Sequence, residues 1–405
     1  MTAPPTTTTR SFAPHVPKWQ QFQLPLNNSC PYDRQYSHVY GERLTLLGPR
    51  VWKRIAAVNK DTTTRYQKVQ RILELRENEP STIVGTLVYE QEETFLEDES
   101  GRVVLQLKEQ RYCTGAVVGV SGVVGKDGVM QVEDLYTPSL VEDVVAGSSP
   151  SAADGAMDVD TETISTGNSP LILILSGLEC GNPHYSSMSR DMLLSYIQGV
   201  FGLETAARVA HVVVAGGLIS KEASGTSGCH ELDAWCWSLT QATRVPVTLL
   251  PGADDPTTAN WPQRPLHRSL LPRSNNSLLN RTPNPMAAQL CDCTMIATDG
   301  TNAATIEQLR ESLECGHICP QGPVQVPMVP NADPLVMATT PQLYVAGNCD
   351  AFATQTVRVD HGDEETKTCR LVCLPAFCST GIAALVDPNT LAIELLRMEV
   401  APEGE

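Results

Sequence analysis

Positive charge is scarce in this sequence. Lysine and arginine number 29 against 46 aspartates and glutamates, a formal charge of −17. Nucleic-acid phosphates are held by Lys and Arg, so wide electrostatic contact with DNA or RNA is excluded as the main role. Long apolar runs are also missing, and none approaches the ~18 residues that a membrane-spanning helix needs. The leading stretch, Met1-Thr-Ala-Pro-Pro-Thr-Thr-Thr-Thr-Arg10, has no apolar core of a secretory signal. The thirteen cysteines are an odd count scattered through apolar stretches. That pattern suits reduced thiols in a cytosolic or nuclear protein better than a disulfide framework.

What the chain does have is length and ordinary apolar content, 405 residues and 41%. Two or more domains with a full core are expected. Residues 1–30 are rich in Thr and Pro and read as disordered. A helical segment follows over 31–80. Tyr36, Val39, Tyr40, Leu44 and Leu47 fall mostly three and four apart, as do Val69, Ile72 and Leu73 in a second helical stretch, Tyr66 to Glu77.

From 81 to 141 the rhythm changes to short strands: Ile83 to Val88, Val103 to Leu107, Ala116 to Val124 and Val129 to Val132. Turn signals, including Asp127-Gly128, separate them. This spacing predicts a small barrel of the OB type. Single-strand binding by such a barrel needs basic and aromatic residues on one face. Here the aromatics are Tyr89, Phe95, Tyr112 and Tyr136, set among Glu90, Glu92, Glu93, Glu97, Asp98 and Glu99. A protein-facing or packing role fits better than DNA contact. Residues 142–169 are mainly small and acidic, with Met157 and Ile164 the only large apolar side chains apart from valines, and read as a flexible linker.

Beyond the linker, 170–400 alternates strand and helix. Leu171 to Leu175, Val209 to Ala215 and Val245 to Leu250 are apolar strands, with helices at Arg190 to Phe201 and Glu231 to Gln241 between them. This pattern predicts α/β architecture with a mainly parallel sheet. Pro256 to Pro285 reads as a long surface loop, carrying Arg264, His267, Arg268, Arg273 and Arg281. Those basic residues suit solvent, or an acidic partner. Cys293 to Ala297 is a further strand, and a helix runs from Ala303 to a Gly316 cap. The last strands, Gln342 to Ala346, Cys369 to Leu374 and Leu391 to Met398, have no helix between them and are expected to pair antiparallel.

Four apolar strands close on small residues: Ser176 to Gly181, Gly216-Gly217, Leu250-Pro-Gly252 and Gly347-Asn348. Ligands gather at strand carboxyl ends in such sheets, so this is where an active site would stand. Cys291-x-Cys293 and Cys315-x-His317-x-Cys319 lack the spacing usual for structural zinc. Trp235, Cys369, Cys373 and Cys378 read as core.

The four strand ends, in order, resemble the motif positions of calcineurin-like metallophosphoesterases, which carry Asp-x-His, Gly-Asp, Gly-Asn-His-Asp and Gly-His-x-His on two metal ions. This chain departs at each. The first reads Gly177-Leu-Glu179, the second Gly216-Gly217 without the bridging Asp, the third Gly252-Ala-Asp-Asp255, and the fourth Gly347-Asn-Cys-Asp350. Two-metal catalysis needs ions about 4 Å apart, and glycine at the bridging position cannot hold them. Glu179, Asp254, Asp255 and Asp350 remain at or beside ligand positions, so four carboxylates are expected to converge, a donor set suited to Mg²⁺, Ca²⁺ or Mn²⁺.

An OB barrel followed by a phosphoesterase frame with lost ligands resembles the small (B) subunits of eukaryotic replicative DNA polymerases, and most narrowly the second subunit of DNA polymerase delta. The resemblance rests on Gln35-Tyr-Ser-His-Val-Tyr-Gly-Glu-Arg-Leu44, Thr114-Gly-Ala-Val-Val118, Leu250-Pro-Gly-Ala-Asp-Asp-Pro-Thr257, Trp261-Pro-Gln-Arg-Pro-Leu-His267, Gly316-His-Ile-Cys-Pro320, Asp333-Pro-Leu335 and Tyr344-Val-Ala-Gly-Asn348. It implies a nuclear, non-catalytic scaffold with no catalytic residue, cofactor or metal of its own. Such a subunit would hold the cysteine-rich C-terminal module of the polymerase catalytic subunit and a third small subunit, and would meet DNA only through the complex. Two other readings stay open: a metal-dependent phosphoesterase with an altered site, and a single-strand-binding OB protein.

Overall fold

The computed structural model describes residues 18–19, 37–58, 65–144, 164, 169–328, 333–361 and 366–398. Of the segment expected to be disordered, 1–30, only β1 (Lys18–Trp19) is described, and it pairs antiparallel with a strand at 286–290. The first helix, α1, is Ser37–Val58. The second expected helix, Tyr66 to Glu77, does not form. In its place stand β2 (Gln67–Lys68) and a single 3₁₀ turn at Ile72–Glu74. Val69 and Ile72 are buried in the barrel, and Asp98 Oδ2 accepts from the Ile72 N–H at 2.9 Å. One strand pairing and one turn bury those two side chains, so a longer helix, with its costly nucleus, gains nothing.

β3 (Pro80–Glu90), β4 (Glu93–Glu97), β5 (Arg102–Gln106), β6 (Val117–Val124) and β7 (Val129–Tyr136) form the barrel. β3, β4 and β5 are an antiparallel meander, β5 lies parallel to β7, and β7 and β6 return antiparallel to β3. That closed order, first-second-third-fifth-fourth, is the OB connectivity. Alternate residues such as Ile83, Leu87, Leu96, Leu105, Val118 and Met130 fill its interior. The stripe Leu47, Val51 and Ile55 of α1 covers β3 and β6 from outside. Gly119 of β6 is where the helix comes closest, since a Cβ there would lie 2.7 Å from Ile55 Cδ1.

The rest is a four-layer α/β/β/α sandwich. The elements are β8 (Leu140–Asp143), β9 (Leu171–Leu175), α2 (Met188–Ile197), α3 (Leu203–Arg208), β10 (Val209–Ala215), α4 (Ser227–Thr243) and β11 (Val247–Leu250). They continue with β12 (Leu279–Arg281), β13 (Met286–Leu290), β14 (Cys293–Thr298), α5 (Ile306–Glu314), β15 (Leu343–Cys349) and β16 (Ala353–Asp360). β17 (Lys367–Pro375), α6 (Phe377–Thr380), β18 (Ile382–Val386) and β19 (Ile393–Arg397) complete the chain.

One sheet runs β12-β11-β10-β9-β18-β19, the other β1-β13-β14-β15-β17-β16-β8. Period-two alternation explains the apolar run of β9. Leu171, Leu173 and Leu175 face the layer of α2 and α4 with Leu193 and Trp235, whereas Ile172 and Ile174 face the other sheet with Met286, Val345 and Val372. The outer face of the second sheet packs Tyr344 and Leu371 beneath Leu309 and Leu313 of α5.

The strands β9 to β12 are parallel, as the strand–helix alternation predicts. The C-terminal expectation fails for β15 and β17, which are parallel. The intervening β16 pairs antiparallel on the far side of β17, so β17 enters between them and shares the direction of β15. Pro256 to Pro285 is likewise not a simple surface loop. It contains β12 and buries Trp261, Gln263, Leu266, Leu271 and Asn284. Proline and asparagine hid that burial by breaking any period. The linker region is described at 142–144, Ile164 and Ser169; Ile164 is 4% exposed and joins the core cluster that includes Leu171 and Leu193, a burial the acidic composition masked.

Candidate functional site

The expected strand ends do meet at one pole of the sandwich. Gly177 N donates to Gly216 O at 2.9 Å and Glu179 N to Gly217 O at 2.9 Å. Asn348 N donates to Ser176 Oγ at 3.0 Å, and Asn348 Nδ2 to Asp299 O at 3.0 Å. Backbone fills the place where ligand side chains would point. Gly217 has φ +60°, and a Cβ on it would lie 2.9 Å from Gly177 Cα and 2.9 Å from Asn348 Oδ1. A side chain cannot be placed there without moving both neighbours.

The four remaining carboxylates do not gather as expected. Asp255 is 5% exposed and faces its own loops: its carboxylate accepts from Gly252 N (2.7 Å), Ile219 N (2.8 Å) and Leu218 N (3.1 Å). Burial raises its pKa to about 7 against the pull of those three donors. Asp254 is exposed and pairs with Lys221 at 3.4 Å. Asp350 is exposed, and Glu179 sits half-buried in a left-handed turn, φ +47°. Sequence reasoning missed Asp299, which is 4% exposed and accepts from Thr301 Oγ1 at 2.7 Å, its pKa raised by burial. The signal available was the Asp-Gly pair closing β14. Among the described residues, no three His, Cys, Asp or Glu side chains form a ligand set.

The two cysteine motifs take other parts. Cys291 begins the turn between β13 and β14, and burial pushes the Cys291 and Cys293 thiols up to about 11 and about 12. Cys315 and Cys319 are fully buried, and the His317 between them belongs to a clamp joining barrel to sandwich. At its centre Arg43 of α1, 0% exposed, donates from Nε to Asp333 Oδ2 (2.5 Å). Its other nitrogens donate to Pro320 O (2.7 Å) and Gly322 O (2.9 Å) of the sandwich and to Gly115 O (2.9 Å) of the barrel.

His317 Nε2 donates to Asp333 at 2.8 Å, while its Nδ1 accepts from Cys319 N at 3.1 Å, which fixes a neutral imidazole. Burial and the nearby Arg43 lower the His317 pKa, and the Asp333 carboxyl is held far below the usual carboxylate range by His317 and Arg43 despite its burial. A second tie sets Tyr112 Oη (2.7 Å) and Arg111 (2.8 Å) of the barrel on Glu314 at the end of α5. Arg310 of α5 donates to Val141 O at 2.7 Å. Gln35 to Leu44, Thr114 to Val118, Gly316 to Pro320 and Asp333 to Leu335 were singled out as separate motifs in the sequence. Four of those motifs supply this one junction.

Residues 172–354 match the DNA polymerase alpha/epsilon (B) subunit family, and residues 35–94 and 87–135 match the DNA polymerase delta subunit OB-fold domain. Among curated relatives, DNA polymerase delta subunit 2 of Drosophila melanogaster is 25% identical over 92% of this chain and 95% of its own length. The DNA polymerase delta small subunits of Oryza sativa subsp. japonica and Arabidopsis thaliana are each 26% identical over 90% of this chain, and over 92% and 91% of their own lengths.

Proposed function

Because the chain belongs to the small (B) subunit family of DNA polymerase delta, we propose that it works as a non-catalytic scaffold within that replicative polymerase. On this reading the sandwich is an inactivated calcineurin-like phosphoesterase frame. The subunit holds the cysteine-rich C-terminal module of the catalytic subunit and carries a third, small subunit. It acts in the nucleus and meets DNA only through the complex.

The observation that carries the proposal is the packing at the strand ends. Backbone of Gly177, Gly216 and Gly217 fills the pole where a two-metal centre would place its ligands, and Asp255 is spent on three backbone donors. Four of the motifs outside that pole join barrel and sandwich through a buried ion pair and hydrogen bonds, which suits a part that positions other polypeptides. The test is recovery of the tagged chain from gently lysed cells. Near-equal amounts of a large DNA polymerase polypeptide, eluting far above monomer mass, are expected. A free monomer, or Mn²⁺-dependent phosphodiester hydrolysis by the purified chain, would overturn the scaffold reading.

A further inference from the structure

A groove of about 410 Å³ runs between α1, the β3–β4 face of the barrel and the Val324 loop of the sandwich. Tyr40, Leu44 and Val88 give it apolar walls, and Val324, 71% exposed, stands at its edge. Its rim is acidic. Asp98 is committed to its own turn through Ser100 N (2.7 Å) and Gly101 N (3.0 Å), but Glu90, Glu97 and Glu99 line the opening. Arg102 approaches Glu90 at 3.3 Å and Glu97 at 3.9 Å, both as exposed pairs, which count for little. Among the described residues, Arg43, whose guanidinium lies 5.4 Å from the Tyr40 ring, is buried in the clamp. Among the described residues the groove is therefore apolar within and negative around its edge, and helix, barrel and sandwich each supply part of its wall.

We propose that this groove docks a basic amphipathic segment of a partner polypeptide. The apolar face of the segment lies on Tyr40, Leu44, Val88 and Val324, and its Lys or Arg side chains meet Glu90, Glu97 and Glu99. Charge complementarity selects this occupant, since the same rim repels phosphate backbones and acidic peptides. The volume suits a few inserted side chains of one segment. The inference deepens the subunit reading, on which it rests, by giving one of the partners a contact of stated chemistry.

The experiment uses the full chain and a short fluorescein-labelled helical peptide with leucines along one face and lysines along the other. Anisotropy is measured for the wild type, for the combined Glu90→Lys, Glu97→Lys and Glu99→Lys variant, and for Val324→Asp. A control carries the same charge change at exposed Glu109, Glu204 and Glu222, away from the groove. The groove variant is expected to weaken binding by about tenfold or more, and Val324→Asp by several-fold, with the control within about twofold of wild type. Circular dichroism confirms that each variant is folded. Equal losses in groove and control variants would sink the proposal. A chain that is recovered with the polymerase yet ignores the peptide also refutes the groove, while leaving the subunit reading intact. A chain that binds the peptide at the groove but is recovered alone retains the groove and refutes that reading.

Discussion

Asp254 and Asp255 are neighbours of the same type, and the structure gives them opposite work. Asp254 lies in solvent beside Lys221, where an ion pair contributes little. Asp255 ties together the ends of β10 and β11 through three backbone N–H groups. Asp254→Asn should change unfolding free energy by no more than about 0.5 kcal/mol. Asp255→Asn places an amide among donors and should cost about 1–3 kcal/mol in urea titration. Equal effects would mean that Asp255 is not the tie described. Arg43 makes a stronger case. Truncating it to Ala leaves Asp333 buried without its guanidinium, and losing one partner of such a pair costs about 3–5 kcal/mol, even where the intact pair adds little net stability. A shift in urea midpoint equivalent to under about 1 kcal/mol would show that the clamp is slack.

At the scale of elements, helix α1 acts as the wedge between barrel and sandwich, and its contact with β6 depends on a missing side chain. Gly119→Val would push into Ile55 Cδ1 and Val51 Cγ1, at 2.7 and 2.8 Å from the new Cβ. Overpacking of that kind costs about 1–3 kcal/mol, read as a fall in melting temperature. Ile164 gives a second test, because Ile→Ala at a buried site costs about 2–5 kcal/mol, whereas a free linker would lose nothing.

These two positions also mark what the sequence could and could not convey. Short apolar runs separated by turn signals such as Asp127-Gly128 made the barrel strands legible, and the five-residue apolar run of β9 announced a buried strand. The strand-end glycines placed the pole correctly. What stayed hidden was long-range. No local pattern says that β17 enters between β15 and β16, that a lone Ile in an acidic stretch reaches the core, or that Arg43 and Asp333 meet. The carboxylates misled for a related reason: their spacing shows only that they stand near one pole, and Asp255 turns toward backbone donors that the sequence does not display.

For the molecule as a whole, the junction makes barrel and sandwich one unit whose stability depends on pH in a predictable way. His317 is neutral in the fold, with Nε2–H on Asp333 and Nδ1 accepting from Cys319 N, and its pKa lies below the ordinary 6.5. As pH falls past about 6.5 the unfolded chain takes a proton that the folded one refuses, so this group lowers stability on acidification. Asp255 works the other way. Its folded pKa of about 7 exceeds the ordinary 3.8, so between those values the folded chain holds a proton that the unfolded one has released. Acidification from about 7 toward 4 therefore raises its contribution.

Each group sets a slope of up to about 1.4 kcal/mol per pH unit, and in the wild type the two oppose each other. Single variants separate them. The cost of His317→Gln should be greatest near neutral pH and shrink toward about pH 5, because the wild type alone bears the histidine penalty. The cost of Asp255→Asn should grow over the same interval. Urea midpoints for the three chains across that range check both trends at once. Parallel curves would show that neither group changes protonation on unfolding, and would rule out both a neutral buried His317 and a proton-holding Asp255.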